Sequence, residues 1–481
     1  MRIFNSLTRK KEEFKPIHAQ NVGMYTCGPT VYDFSSIGNF RTYVTSDVLR
    51  RTLTLNGYKV KSVMNITDVG HLTGDGDLGE DKLAKAAKRE HKTAWDIAKF
   101  YGEAFEKDSK KLNILPHDVV ARATDHIKEQ IQLIRRLEGK GFTYKTSDGI
   151  YFDTVKYEKD TGAKYGELST LDEIKEGSRV EKNPEKKNPR DFALWKFSYK
   201  GGRSFDSAQD DAASCRHMEW ESPWGFGFPG WHIECSAMSM KYLGETFDVH
   251  TGGEDLRQTH HPNEVAQSEG ATGKKFVNYW MHVTFLLVDG KRMGKSVGNA
   301  YTVSDVEKKG IEPLALRYLY LTAHYRDPLN FTWEALEGAQ SALERLRSQV
   351  SNFSSQESGG GKGKVKEYRD KFTDALDNDL GTPQALAVVW DVVKSDISSV
   401  DKRKLILSFD EVLGLEVSKV PQVSKVPKEV RERVRQREEL RKQEKWDEAD
   451  KVRKEMLEMG YTIKDTDSGP QVKKLRVTSN K

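Results

Sequence analysis

Cys235 stands in the string Gly230-Trp-His-Ile-Glu-Cys-Ser-Ala-Met238, and 25 residues later comes His260-His261-Pro-Asn-Glu264. His260 and Glu264 are four residues apart, so on a helix their side chains share one face, the arrangement used when one helix supplies two metal ligands. Pro262 lies between them, which requires the pair to occupy a first helical turn, where proline is tolerated. With Cys27, in Met24-Tyr-Thr-Cys27-Gly, these residues would make a set of two thiols, an imidazole and a carboxylate. Such a borderline-soft donor set suits zinc. Spacing alone leaves a second reading open, in which the two cysteines are small buried hydrophobes and the histidine pair lies on an exposed loop.

A second candidate is Asp289-Gly-Lys-Arg-Met-Gly-Lys-Ser-Val-Gly-Asn299. It imitates a Walker A loop, but Gly290 and Gly294 are separated by three residues where that motif needs four. The P-loop reading is therefore rejected. What remains is either a glycine-flanked loop that brings Lys295 to a phosphate as a compact point charge, or an ordinary basic surface turn.

These residues need elements to position them. Val22–Cys27 is a short apolar run, followed by a Gly/Pro/Ser-rich passage from Gly28 to Asn39. Tyr43, Val44, Asp47, Val48, Leu49 and Leu55 then keep helical spacing until Gly57, after which Tyr58–Met64 reads as a second strand. Strand, glycine loop, helix and strand form a βαβ unit whose helix N-terminus suits phosphate, although many parallel sheets that bind no nucleotide share the pattern. The spacing predicts helices from Asp81 to Leu137, an inserted α/β piece from Tyr144 to Trp195, and renewed α/β structure from Gly230 to Val288. Beyond Glu312 the chain reads as mainly helical. Ser354–Gly363 is a flexible linker by composition. The repeated pentapeptides Val417–Pro421 and Val423–Pro427 argue against helix and set off residues 428–481 as a separate module. There, Val430, Val434, Trp446, Ala449, Val452, Met456 and Met459 predict a helical hairpin with one buried stripe. Its many charges are either a solvated face or, with Lys473, Lys474 and Arg476, a contact for nucleic acid.

Composition bounds the class. The 481 residues carry a net charge of only +5, and 36% hydrophobic with 31% charged residues excludes collagen-like, mucin-like and mostly disordered chains. Three cysteines cannot form a disulfide framework, so a reducing compartment is expected. No segment approaches the ~18–20 uninterrupted apolar residues of a membrane span, and Met1–Lys11 has no apolar stretch like that of a signal peptide. The expectation is a cytoplasmic chain with no membrane partner.

Taken in order along the chain, these motifs resemble cysteinyl-tRNA synthetases, which are class I aminoacyl-tRNA synthetases. The resemblance runs from Phe4-Asn-Ser-Leu-Thr-Arg9 and Met24–Gly28 through Asn65-Ile-Thr-Asp68, Gly230–Met238 and His260–Glu264 to the Trp446 hairpin. It implies an α/β fold: a Rossmann-like nucleotide-binding domain with an inserted α/β subdomain, then a helical bundle and a small C-terminal anticodon-binding module. The expected boundaries are 1–125 and 216–290 for the halves of the catalytic domain, 126–215 for the insertion, 291–350 for the signature loop and stem-contact region, 364–415 for the bundle, and 428–481 for the last module.

The resemblance also implies one zinc per chain, held by Cys27, Cys235, His260 and Glu264. Gly28, Thr67, Trp231 and Asp255 would surround the amino acid. Ser36, Gly38, Asn39, Arg292, Lys295 and Ser296 would bind ATP, with Mg2+, and Lys295 would be catalytic. The implied partners are L-cysteine, ATP and tRNA(Cys), and the implied state a monomer. Two signatures depart from the family pattern. His-Ile-Gly-His appears as Ser36-Ile-Gly-Asn39, which has no imidazole and leaves Ser36 and Asn39 only neutral hydrogen bonds for the nucleotide. Lys-Met-Ser-Lys-Ser appears as Arg292-Met-Gly-Lys-Ser296. The stretch Phe205–Met218, with Cys215 and His217, reads as a surface insertion outside the metal site. A ligase joining cysteine to a small amine, and a zinc RNA-binding protein without catalysis, are the alternative functions.

Overall fold

The apolar run before Cys27 is strand β1 (Asn21–Thr26), followed by helix α1 (Ile37–Leu55) and strand β2 (Lys59–Ile66), in the computed structural model. The structure describes residues 1–70, 82–169, 183–198, 218–294, 297–353, 362–419, 428–466 and 469–474. Strand β3 (Val119–Arg122), helix α2 (Trp231–Leu243), strand β4 (Phe247–Gly253), helix α3 (His260–Thr272) and strand β5 (Val277–Val283) complete the sheet and its cover. All five strands are parallel, in the order β5-β4-β1-β2-β3. That is the doubly wound order, and it reverses between β1 and β4, where the carboxyl ends of two neighbouring strands open a crevice. Val22, Met24, Val249, Met281 and Val283 are buried within the sheet, as its strands are covered on both faces.

The stretch 81–137 differs from its expected all-helical form. Lys82–Glu90, Ala94–Lys111 and Ile127–Gly139 are helices, but β3 lies among them and pairs with β2. Four residues are too few to interrupt a helical periodicity, so only the pairing reveals this edge strand. The inserted piece is a four-stranded antiparallel sheet of Thr143–Lys145, Gly149–Phe152, Phe192–Phe197 and Gly227–Pro229, packed around the fully buried Trp195. Its last strand lies beyond residue 215 and runs directly into α2. Cys215 and His217 lie outside the described residues.

Two compact units divide the chain: Met1–Leu343 with Phe353–Glu416, and Glu344–Asn352 with Val417–Lys481. In the second, helices Lys428–Lys442 and Trp446–Glu458 bury Val430, Ala449, Val452 and Met456, but Trp446 is 56% and Met459 38% exposed, so both leave the expected stripe. The hairpin Tyr461–Thr466 with Gly469–Lys474, unforeseen from sequence, completes this small core with Tyr461 and Ile463. Among the described residues no helix is long and apolar enough to cross a membrane.

A buried ion pair ties the helical part of the first unit to α1. Arg317 is fully buried; it donates to Asp47 Oδ2 at 2.5 Å and to the carbonyls of Leu413, Leu112 and Asn113 at 2.6, 3.0 and 3.1 Å. Gly414, at φ +64°, lies against the guanidinium, where a Cβ would come within 2.7 Å of Arg317 Cζ. Removing one partner of such a pair strands a dehydrated charge. Asp47→Asn should therefore lower unfolding stability by about 3–5 kcal/mol, read from urea denaturation, and Asp47→Asn with Arg317→Met should recover part of that loss. Equal stability of Asp47→Asn and the parent would refute this role.

Candidate functional site

Cys27 follows β1 and sits at the strand-order reversal, facing residues from α2 and α3. Its Sγ is 3.9 Å from Cys235 Sγ, 3.4 Å from His261 Nε2 and 3.7 Å from Glu264 Oε1. His260 Nε2 is 3.1 Å from Glu264 Oε1. One potential ligand atom each from Cys27, Cys235, His260 and Glu264 lies within 4.8 Å of the other three, and all four residues are buried. Pro262 is in the first turn of α3, as the spacing required. The four expected metal ligands are thus brought together by β1, α2 and α3, although 208 residues separate the two cysteines.

Sequence reasoning missed the residues around this set. A second group, Cys27, His250, His261 and Glu264, meets the same distance limit. His250 Nε2 is 3.0 Å from Glu264 Oε2, and His232 Nδ1 is 2.9 Å from His260 Nδ1. His261 Nδ1 is 2.7 Å from His282 Nε2, whose other ring nitrogen is 2.8 Å from Ser6 Oγ. Asn5 fixes that N-terminal segment: its amide donates to the Asn278 carbonyl at 2.9 Å and accepts from the Trp280 N–H at 3.1 Å. The buried polar faces of α2 and α3 are joined by Gln267, which donates to the His232 carbonyl and to Ser236 Oγ. The available signal was the unusual number of polar residues in Gly230–Met238 and His260–Ser268, which no amphipathic pattern explains.

The electrostatics follow from dehydration. Burial opposes charging His260, yet Glu264 and Cys235 lift its pKa to about 10. Burial likewise opposes ionising Glu264, but His250 and His260 hold it at about 2. Burial pushes the Cys27 thiol well up, while for Cys235 it is outweighed by the Cys27 hydrogen bond and His260, leaving about 7. A carboxylate and two thiols packed this closely away from water require protons or a cation to balance them. Donors of this softness and spacing fit a zinc-sized ion.

The remaining expected residues frame the crevice. The Gly28 N–H donates to Asn65 Oδ1 at 2.7 Å, and the backbone there is so close that a Cβ would lie 1.8 Å from the Asn65 carbonyl oxygen. Thr67 is buried and its hydroxyl donates to Glu234 Oε2 at 2.9 Å; burial pushes the Glu234 carboxyl well above its usual range. Trp231 begins α2 and packs against His260, ring centroids 4.2 Å apart with the planes tilted by 37°. Asp255 is exposed on the one-turn helix that follows β4.

At the start of α1, Ser36 and Asn39 bond to each other. The Ser36 N–H donates to Asn39 Oδ1 at 3.0 Å and the Asn39 N–H to Ser36 Oγ at 3.2 Å, a capping box that serves the helix end. Gly38 faces Met293, whose Sδ would be 3.3 Å from a Cβ there, so the second signature loop lies over the first. Arg292 stands over the Phe285 ring at 4.5 Å. Lys295 and Ser296 lie outside the described residues.

This combination of a doubly wound sheet, an inserted sheet and two glycine-bearing loops meeting at its crevice defines a class I aminoacyl-tRNA synthetase fold. The family model described as tRNA synthetases class I (C) catalytic domain matches residues 13–341, and a DALR domain model matches residues 371–415. The chain is 45% identical over 474 residues to cysteine-tRNA ligase 1 of Burkholderia lata, covering 98% of this chain and 96% of that one. It is 39% identical over 511 residues to cysteine-tRNA ligase of Thermococcus gammatolerans, covering 99% and 100%. In fold it is similar to Mycobacterium tuberculosis methionyl-tRNA synthetase in complex with methionyl-adenylate, with a TM-score of 0.55 at 14% identity over 82% of this chain and 90% of that one. The chain belongs to the class I cysteine-tRNA ligase family.

The Gly28 contact yields a stability test. Gly28→Ala must displace the backbone at Asn65 and should cost more than about 2 kcal/mol, within the range of overpacking changes. Gly338→Ala, in a helix with nothing within 4 Å, should be neutral or stabilising by up to about 1 kcal/mol. Thermal unfolding of the two variants separates these outcomes, and similar midpoints would argue against close packing at Gly28.

Proposed function

We propose that this chain is a cysteine-tRNA ligase that activates L-cysteine with ATP and transfers the cysteinyl group to tRNA(Cys). The observation that carries this reading is the convergence of Cys27, Cys235, His260 and Glu264 at the carboxyl ends of β1 and β4. Of the two overlapping groups, this is the one containing both thiols, the donors zinc favours over oxygen ligands. One zinc ion held there supplies a Lewis acid that favours a bound thiolate over a hydroxyl, and so distinguishes cysteine from serine where shape alone discriminates poorly.

The chain's own residues do the rest. His250 and His232 orient Glu264 and His260, in the manner of outer-shell partners that fix metal ligands. Asp255 offers its carboxylate to the substrate ammonium. Trp231 covers the site, Gly28 lets the substrate approach the backbone, and Thr67 borders the amino acid while its hydroxyl holds Glu234. The substrate carboxylate attacks the α-phosphorus of ATP, the bond to pyrophosphate breaks, and cysteinyl-adenylate forms. The 3′-terminal ribose hydroxyl of the tRNA then attacks the carbonyl and AMP departs. Arg292, Lys295 and Ser296 attend the phosphates, with Mg2+ on ATP. Gly38 opens the crevice, and Ser36 and Asn39 hold the helix end beside it. Catalysis is by positioning and charge stabilisation, without a covalent enzyme intermediate. Residues 428–481 read the anticodon, supported by the density of basic side chains after Pro427. The low cysteine count supports action in a reducing cytoplasm, and the protein acts as a monomer.

Cysteine-dependent exchange of pyrophosphate into ATP, followed by charging of tRNA, tests the reading. No exchange would overturn it, and exchange without charging would redirect it to a small-amine ligase. Cys235→Ser should lose bound zinc and cysteine activation together; full zinc occupancy in that variant would count against the ligand set. Lys295→Ala should lower the rate of adenylate formation at least 100-fold, the scale of losing one charge-stabilising donor, with little effect on cysteine binding.

A further inference from the structure

Helix Ala94–Lys111 opens with a reciprocal cap, in which Thr93 Oγ1 accepts from the Asp96 N–H at 3.1 Å. Its inner face is apolar: Ala94, Ile97, Ala98 and Tyr101 are buried against Val31, which follows β1, and Ile66, which ends β2. An amphipathic helix should be polar on its other side. Here Trp95 and Phe100 are instead 49% and 44% exposed. Phe34, in the passage from β1 to α1, is 40% exposed and meets Phe100 and Tyr101 edge to face, with ring centroids 6.0 and 5.0 Å apart. It precedes Ser36 by two residues, so these rings stand beside the end of α1 that borders the crevice.

The surroundings are basic. Lys92 Nζ stands 4.6 Å from the centre of the Phe100 ring, and Arg89 donates to the Tyr101 hydroxyl at 3.4 Å. Glu90 lies among them, paired with Arg89 at 2.8 Å and with Lys92 at 3.4 Å. Residues 82–111 hold nine Lys and Arg against five Asp and Glu, so most of the whole chain's +5 is concentrated in this stretch. Exposed rings beside surplus cations suit single-stranded nucleic acid, because every base offers a face to a ring and its backbone offers charge to the cations. A second copy of the chain would set this basic stretch against itself, whereas a polyanion neutralises it.

We propose that Phe34 and Phe100 form a stacking platform for the unpaired 3′ nucleotides of the tRNA at the rim of the crevice, with Lys92 on their phosphates. A base laid on these rings removes their apolar surface from water, which the fold itself leaves uncovered. The platform belongs to the first unit and acts independently of the basic module 428–481. It adds affinity for the end of the tRNA rather than choice among tRNAs, since stacking is tolerant of sequence. The assignment rests on the reading of the chain as a tRNA-charging enzyme.

The test compares tRNA(Cys) with the same tRNA lacking its unpaired 3′ nucleotides, each titrated with the full-length protein by filter binding, and cysteine-dependent pyrophosphate exchange is measured alongside. Phe34→Ala and Phe100→Ala should each bind the intact tRNA about 5- to 100-fold more weakly, the range of one lost stack between a base and a ring. Their affinity for the shortened tRNA and their rate of exchange should stay within about twofold of the parent. Phe34→Trp, which keeps an aromatic face, should retain the parent's affinity. Lys92→Gln should reduce the slope of log affinity against log salt by about 0.7, for the intact tRNA only. Equal weakening toward both tRNAs, or no weakening, overturns the assignment and leaves the rings a structural cluster. Should Phe34→Ala not fold, Phe100→Ala and Lys92→Gln decide by the same comparison. A parent dimer in sedimentation that Phe100→Ala dissociates overturns it in favour of a second copy of the chain. A parent without exchange refutes the function itself, whereas a parent that exchanges and charges tRNA but binds both tRNAs equally refutes the platform alone.

Discussion

A carboxylate and two thiols held out of water at the reversal point of a parallel sheet set the terms for everything around them. Glu264 is 0% exposed, and a charge so placed is tolerable only where hydrogen bonds and counter-charges surround it. Helices α2 and α3, normally the place for aliphatic side chains, are instead lined with His232, Ser236, His260, His261 and Gln267. Their mutual hydrogen bonds replace the water that was lost. The same demand reaches the N-terminus, because His261 leads through His282 to Ser6, and Asn5 must anchor Ser6 against β5. A short N-terminal motif that looks incidental in sequence is thus the outer edge of the buried polar network.

The second constraint lies in α1, which serves two regions at once. Its N-terminus borders the crevice, where the reciprocal cap of Ser36 and Asn39 fixes the first turn and Met293 covers Gly38. Its middle carries Asp47, which neutralises Arg317, and Arg41, which donates to the carbonyls of Thr284, Phe285, His324 and Asp327 at 2.6–3.0 Å. Arg41 bonds to backbone carbonyls of loops and Arg317 mainly to carbonyls at helix ends, supplying partners that helix and strand ladders do not provide there. The helical part and the signature loop are in this way referenced to the helix that borders the crevice.

Long, periodic features were legible from the residues alone. The βαβ unit, the helical turn containing Pro262 and the convergence of Cys27, Cys235, His260 and Glu264 each follow from a pattern repeated over several residues or from a strong resemblance. Short or outward-facing features were not. Strand β3 spans four residues, and nothing local distinguishes it from a helical turn. Trp446 and Met459 fit the helical stripe of the C-terminal hairpin, yet they lie at its ends, where the partner helix no longer covers them. Ser36 and Asn39 can bond a nucleotide or each other, and residue type does not choose between the two.

Residue order and type by themselves determined the α/β class, the resemblance to one family and a candidate donor set of two soft thiols with an imidazole and a carboxylate four residues apart. Only the tertiary structure decided which histidines surround the carboxylate, that Thr67 is spent on Glu234, and that Phe34 meets Phe100. The reason is that donor identity is a property of a residue, whereas desolvation and partner choice are properties of a place. That place is made by strands and helices distant along the chain, whose contacts no local periodicity encodes.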